Sequence, residues 1–294
     1  ANRDNQMVSW IAGNCAQRNA NSDGHAPVGT CTQLALTPSR RGRAFACGKV
    51  FCILELTSRN VDQYIFQPIG ILHSPFREKF GIPRQPGLTP HAISTLELFA
   101  PFDTAECLQG LEDFSHLWLS FVFHATAAQG WQPMVRPPRL GGNTTRGVFA
   151  TRSMFRPNPV GLSVVELLDI VDGDKGKCLR LRGADLLDGT PILDIKPYIP
   201  YADSVPAARS SFAQEAPPTL RVQWSANAEQ EAAALLLSSD LRRLVDEVLA
   251  QDPRPAYRAQ QDDAHEYGLW LEEINVRFCV QQQTAWVLAL EPKP

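Results

Sequence analysis

The chain has 294 residues, 44% hydrophobic and 20% charged, with a formal net charge of −3 and a pI near 6.1. That is enough apolar mass for a sizeable buried core in one large domain or two ordinary ones, and it excludes wholesale disorder. A mildly acidic chain does not coat nucleic acid indiscriminately, so any RNA contact must come from a local patch, and no apolar run reaches the roughly 20 residues of a membrane-spanning helix, so a soluble protein without membrane contact is expected.

In chain order, residues 1–63 carry four of the seven cysteines, the basic run Ser39-Arg40-Arg41-Gly42-Arg43 and little sustained periodicity. They read as a poorly ordered extension rather than a nucleic-acid-binding arm, with translation expected to start near Val61. The apolar stretch 7–16 is short, broken by Gly13 and Asn14, and does not read as a secretory signal. Seven cysteines, an odd number with no CxxC pair and no Cys/His quartet, point to reduced thiols in the cytoplasm and to no metal site.

From residue 64 the pattern becomes strand-like. Segments 64–72, 93–99, 115–123, 147–151, 161–171, 178–182 and 191–198 are short, β-branched or aromatic, and bounded by Pro and Gly, whereas only 103–111 reads as a helix. Many short strands without strand–helix alternation predict a mainly β fold, an antiparallel β-barrel or sandwich, not a doubly wound sheet. Residues 206–218, rich in Ala, Ser and Pro, form a connector. Beyond it the period changes: Leu241, Leu244, Val245, Val248 and Leu249 share one helical face, with Asp240 as the expected cap and Asp252-Pro253 as the stop. A helix over 229–237 precedes this one, and strands over 269–280 and 284–290 follow. The expected organisation is therefore an extension 1–63, a β-barrel domain 64–205, a linker 206–218 and a small α+β C-terminal domain 219–294.

The densest chemical signal is MVRPPRLGGNTTRGVFATRSMFRPNPVGLS at 134–163. It holds Arg136, Arg139, Arg146, Arg152 and Arg156 with no carboxylate between the first and the last. Guanidiniums on loops stiffened by Pro137-Pro138 and Pro157-Asn158-Pro159 suit carboxylate and phosphate recognition, unless acids from elsewhere in the fold neutralise them. Residues 74–88 repeat the idiom with Arg77, Lys79 and Arg84 against Glu78 alone. In DLLDGTPILDIKPYIPY at 185–201, Asp188-Gly189 is a ready hairpin turn, and alone this is ordinary strand chemistry. His124 closes a strand at the place where barrel strands open into a site. There is no GxGxxG, GxxxxGK[ST], HExxH or GxSxG, which disfavours Rossmann dinucleotide binding, P-loop phosphoryl transfer and the common hydrolases.

PRQPGL at 83–88, FSHLWLSFVFH at 114–124, RPPRLGGN at 136–143, GVFATRSMFRPNPVGLS at 147–163, DGTPILDIKPYIPY at 188–201 and DPRPAYR at 252–258 occur together and in order. On these motifs residues 64–294 resemble the TsaA/YaeB-type family of tRNA (adenine-N6)-methyltransferases. The resemblance implies a β-barrel methyltransferase fold, S-adenosylmethionine as donor, threonylcarbamoyladenosine at position 37 of a tRNA as acceptor, and a homodimer. It places cofactor contacts at Arg84, Gln85, Pro86, His124, Ala125, Arg152, Leu162, Asp188, Gly189, Thr190 and Pro191. Ala125 stands where relatives also carry Gln, so its contact falls to the backbone.

Arg152 or Arg84 would pair the donor's carboxylate, Asp188 its ammonium or ribose hydroxyls, and Leu162 would supply an apolar wall. For the tRNA, Arg139, Arg146 and Arg156 are the phosphate candidates, and Arg254, Tyr257 and Arg258 form a stacking and phosphate set on the proline-framed tail loop. Positioning is expected to dominate the methyl transfer, with Asp194 as the one base candidate and no metal. Two alternatives stand beside this reading: a non-catalytic β-barrel RNA-binding module, disfavoured by the acidic charge, and a small-molecule methyltransferase on the same barrel, disfavoured by the DPRPAYR tail.

Overall fold

A computed structural model of the chain describes residues 64–255, 258 and 263–293; the expected extension 1–63 and the start near Val61 lie outside them. The first half contributes β1 (Gly70–His73), β2 (Ile93–Leu98), α1 (Ala105–Leu108), β3 (His116–Val122), α2 (His124–Ala127), β4 (Met134–Val135), β5 (Arg146–Gly147), β6 (Val160–Asp172), β7 (Lys177–Arg182), β8 (Thr190–Pro197) and α3 (Pro200–Asp203). Six of these strands close an antiparallel barrel in the order β1-β2-β7-β6-β3-β8, with β8 returning to pair with β1. Closure leaves no strand edge open.

The period-two pattern accounts for the barrel's filling. Strand β3 turns Leu117, Leu119 and Phe121 inward and Trp118, Ser120 and Val122 outward. Leu72, Leu96, Leu98, Leu179, Leu181 and Ile192 meet them in the interior. Each such burial contributes about 1.5–3 kcal/mol, and the interior is a packed core rather than a channel. Gly161 on β6 faces the Phe121 ring so closely that a Cβ there would overlap it.

The second half adds β9 (Arg221–Trp224), α4 (Ala226–Ala234), α5 (Ser239–Ala250), β10 (Asp263–Leu271), β11 (Ile274–Gln281) and β12 (Thr284–Pro292). Its sheet runs β10-β11-β12-β9, and only the β9–β12 pair is parallel. The expected face of α5 is buried: Leu244, Val245, Val248 and Leu249 pack with Leu269, Val276, Phe278 and Val287.

This second core is not made by the tail alone. Phe76 and Ala92, from the segment joining β1 to β2, are fully buried in it, and Ile82 packs against it. The amide of Glu272 donates to the Pro75 carbonyl at 2.8 Å, and that of Trp270 to Glu78 Oε1 at 2.9 Å. The barrel and the tail sheet thus belong to one compact unit, Asp62–Pro294.

Several local expectations are corrected. The strand read at 147–151 is a two-residue pairing of β5 with β4 followed by a 3-10 turn, Val148–Ala150, whose buried Val148 anchors it. The helix read at 103–111 keeps one turn, because Gly110 adopts φ 80° and a second 3-10 turn follows. The strand read at 64–72 is ordered as strand only from Gly70. Segment 269–280 is a hairpin, not one strand: the chain reverses between β10 and β11 at Glu272, φ 52°. The α5 cap is Ser238, whose hydroxyl accepts from the Leu241 amide, while Asp240 sits in the first turn, where its charge favours the helix dipole. Ser225 caps α4 three residues earlier than read, and β9 was not anticipated.

Candidate functional site

A cavity of about 870 Å³ opens at one mouth of the barrel. Its walls come from five places: residues 79–85 of the β1–β2 segment, the end of β3 with α2, the arginine-rich arm with the start of β6, the loop 185–190, and the Asp252–Pro255 turn after α5. Such a volume is within the usual range for small-molecule sites.

Of the sequence-predicted cofactor residues, Arg84, Gln85, His124, Ala125, Arg152, Leu162 and Thr190 line this cavity. Gln85 Oε1 accepts from Arg152 at 2.6 Å, joining the β1–β2 segment to the arm, and Arg84 reaches the Asp252 carbonyl at 3.5 Å. Leu162, on the outward face of β6, leaves 54% of its surface exposed. Pro86, Asp188, Gly189 and Pro191 are not among the lining residues. Asp188 is engaged elsewhere: its carboxylate accepts from the Ser74 amide at 3.0 Å and pairs with Arg77. It fastens the turn rather than facing the cavity. Thr190 donates to the Leu187 carbonyl at 2.6 Å and Ser74 Oγ to the Leu186 carbonyl at 2.8 Å, so the whole 185–190 loop is held.

The arm bears out the electrostatic reading of its sequence in one respect: among the described residues none of Arg136, Arg139, Arg146, Arg152 and Arg156 forms an ion pair. Arg139 donates to the Glu215 carbonyl and Arg146 to that of Thr145, and both are exposed. Arg156 donates at 2.8 Å to the Thr151 carbonyl and stands over the Phe149 ring at 5.8 Å, so it also pins the arm. Trp131, Met134 and Phe149 lie exposed around these cations, Phe149 by 77%. Left-handed Gly141 and Gly142, φ 71° and 73°, turn the chain between Arg139 and Arg146, a conformation in which a side chain would be strained.

In the tail, Arg254 is buried, with only 4% exposed, and forms a bidentate pair with Asp252 at 2.8 and 3.0 Å. It lines the cavity, not the open surface. Tyr257 lies outside the described residues, and Arg258 is half-buried. The base candidate Asp194 pairs with Lys196, accepts from the Ile195 amide and does not line the cavity.

One cavity residue was missed by sequence reasoning. Asp185 accepts a 2.5 Å hydrogen bond from Ser163 Oγ, and desolvation raises its pKa to about 6 against the opposing effects of that bond, its own backbone and Arg152. Its signal, an acid after a strand, is common; Ser163 lies 22 residues away and only the barrel brings them together. Among the described residues no group of three His, Cys, Asp or Glu is placed to hold a metal ion, and no helix is long and apolar enough to cross a membrane.

Fold and site together define a β-barrel protein with a cation-rimmed ligand cavity at the barrel mouth, unlike any nucleotide-binding layout built on a parallel sheet. Residues 71–204 match the family model of the tRNA-methyltransferase O N-terminal domain, and 217–293 that of the TrmO C-terminal domain. The tRNA (adenine(37)-N6)-methyltransferase of Escherichia coli is 50% identical over 236 residues, 79% of this chain and 100% of the relative. A Pseudomonas aeruginosa protein provisionally named S-adenosylmethionine-dependent methyltransferase RcsF is 49% identical over 72% of this chain and 90% of its own. The crystal structure of TrmO from Pseudomonas aeruginosa aligns with TM-score 0.65 and 41% identity, covering 78% of this chain and 99% of that one. The chain belongs to the tRNA-methyltransferase O family.

Proposed function

We propose that the protein methylates N6 of threonylcarbamoyladenosine 37 in a tRNA anticodon loop, with S-adenosylmethionine as donor, as a cytoplasmic homodimer. The observation that carries this reading is the cavity itself: an apolar wall, fastened loops, and Arg84, Arg152 and Arg156, which form no ion pair among the described residues, converge at one barrel mouth. The donor set fits an amino-acid sulfonium nucleoside. Arg84 and Arg152 would hold its carboxylate, Leu162 its apolar flank, and Gln85 with Thr190 its hydroxyls and ring nitrogens. When bound, that group supplies an electrophilic methyl carbon.

The chain's own contribution is positioning. The clamped loops at 79–85 and 185–190 present fixed donors and acceptors, so that little ordering is left for the moment of reaction, and near-attack alignment supplies much of the rate. Arg139 and Arg146 would neutralise phosphates on the open face, and Trp131 and Phe149 offer rings on which an unstacked loop base could lie. One more cation of the arm would meet the acceptor's threonyl carboxylate. The exposed Ile199, at 39%, and Tyr201, at 91%, which do not line the cavity, support the dimer.

Methyl-labelled S-adenosylmethionine incubated with tRNA from cells with and without the threonylcarbamoyl modification tests the acceptor. Label is expected in the modified pool alone; equal labelling of both would overturn the acceptor, and absence of calorimetric heat with the donor would overturn the donor.

A further inference from the structure

We infer that Asp185 is the proton acceptor of the reaction, taking the N6 proton of the acceptor nucleoside while Ser163 holds its carboxylate in place. The inference rests on the methyltransferase reading. The acceptor N6 carries one hydrogen beside its carbamoyl substituent, and the methylated product carries none, so a proton must leave. In the balanced step the N6–H bond breaks to an Asp185 oxygen, the freed electron pair forms the N6–CH3 bond, and the S–CH3 bond breaks with its pair onto sulfur. A cationic donor becomes a neutral thioether and Asp185 becomes a carboxylic acid, which returns its proton to solvent.

Elimination and geometry single this residue out. Two carboxylates line the cavity among the described residues, Asp185 and Asp252. Asp252 is consumed by the buried pair with Arg254. Asp185 has no cation within ion-pair distance among the described residues, and it is partly exposed on the cavity. Ser163, fully inside the barrel on β6, donates to one of its oxygens, and Asp185's own backbone also bonds the carboxylate, so the group is held in one orientation at the cavity. The loop that carries it is fastened by Thr190, Ser74 and the amides of Asp188 and Gly189, which donate to the carbonyls of Phe76 and Leu72 at 2.9 Å each.

The other charged or titratable side chains around the cavity are Lys79, Arg84, His124, Arg152, Arg156 and the Asp252–Arg254 pair. His124 is the competing acceptor. It sits exposed on a single helical turn and no hydrogen bond of the described residues orients its ring. A proton acceptor that titrates near 6 is ionised at neutral pH yet basic enough to take the proton.

The test is single-turnover methylation by the full chain across pH, with donor affinity measured by calorimetry. Asp185→Asn, which keeps the Ser163 contact, is expected to lose more than about 10²-fold in rate and to flatten the acid limb of the profile, with donor affinity unchanged. Ser163→Ala removes a hydrogen bond to the charged form and is expected to move the acid limb to higher pH while leaving donor affinity alone. The inference is overturned if Asp185→Asn keeps a rate close to wild type, if the acid limb persists in it, which would point to His124, or if donor affinity falls in step with rate. Wild-type protein that transfers no methyl would bring down the functional reading and this inference together.

Discussion

The two longest walls of the cavity are built in opposite ways. The segment 74–92 is gripped from both sides: Phe76 and Ala92 are sunk in the tail core, Ser74 and Gly87 are bonded to the barrel loops, and His91 is bonded to Glu247 of α5 through both its amide and its ring. The arm from 131 to 157 closes mostly on itself, through the β4–β5 pair, Gln132 to Phe155, and Arg156 to the Thr151 carbonyl. Its side-chain links outward are few, Arg139 to Glu215 and Arg152 to Gln85. One wall is part of the core and the other is a self-bonded flap. The difference lies in what fixes each wall: the core and two sets of loops hold the gripped one, while the arm, apart from Arg139 and Arg152, is held by its own bonds.

Breaking the gripped wall should be the most damaging change. Phe76→Ala empties a fully buried ring position in the tail core and is expected to cost about 3–5 kcal/mol in denaturant unfolding, with donor affinity falling alongside. Arg152→Ala cuts the link between the walls; donor affinity is expected to drop about tenfold or more by calorimetry, as for loss of a charge-assisted hydrogen bond, with the melting temperature little changed. Arg146→Ala, on the free face, should leave stability within about 0.5 kcal/mol and donor affinity intact, while the slope of log tRNA affinity against log salt falls by roughly 0.7–0.9.

A pH-dependent effect on stability concerns Asp185 in the folded protein alone. Its folded pKa of about 6 lies above the ordinary value of 3.8, so the folded chain binds this proton more tightly than the unfolded one. That contribution to stability is present below the unfolded value and is lost as pH rises through about 6. Asp185→Asn should therefore melt higher than wild type at pH 8, and the gap should close on acidification; a gap independent of pH would contradict a raised pKa.

The contrast between the walls also explains what could be read from the residues. Strand β3 and the α5 face follow local periodicities, and the arm declares itself by five arginines without acids, so all three were legible. Phe76 looks like any aromatic after a strand; its role depends on Leu269 and Leu271 far along the chain. Ligand contacts at Asp188 and Arg254 rest on the family resemblance and not on their turns, which alone read as structural; their side chains pair with Arg77 and Asp252 respectively. Residues 147–151 have strand composition, but Val148 folds inward and the backbone tightens around it. Such outcomes turn on partners that periodicity does not encode.

The sinking of Phe76 into the tail core carries a consequence for biosynthesis. Arg77 lies 195 residues before Glu272, whose carbonyl it will hold, so at translation rates of 5–20 residues per second the neighbouring aromatic ring waits about 10–40 s on the ribosome before its burial site exists. During that interval the barrel can close while an oily plug stays open to solvent, and a holding chaperone or a ribosome-proximal surface would be the natural shelter for it.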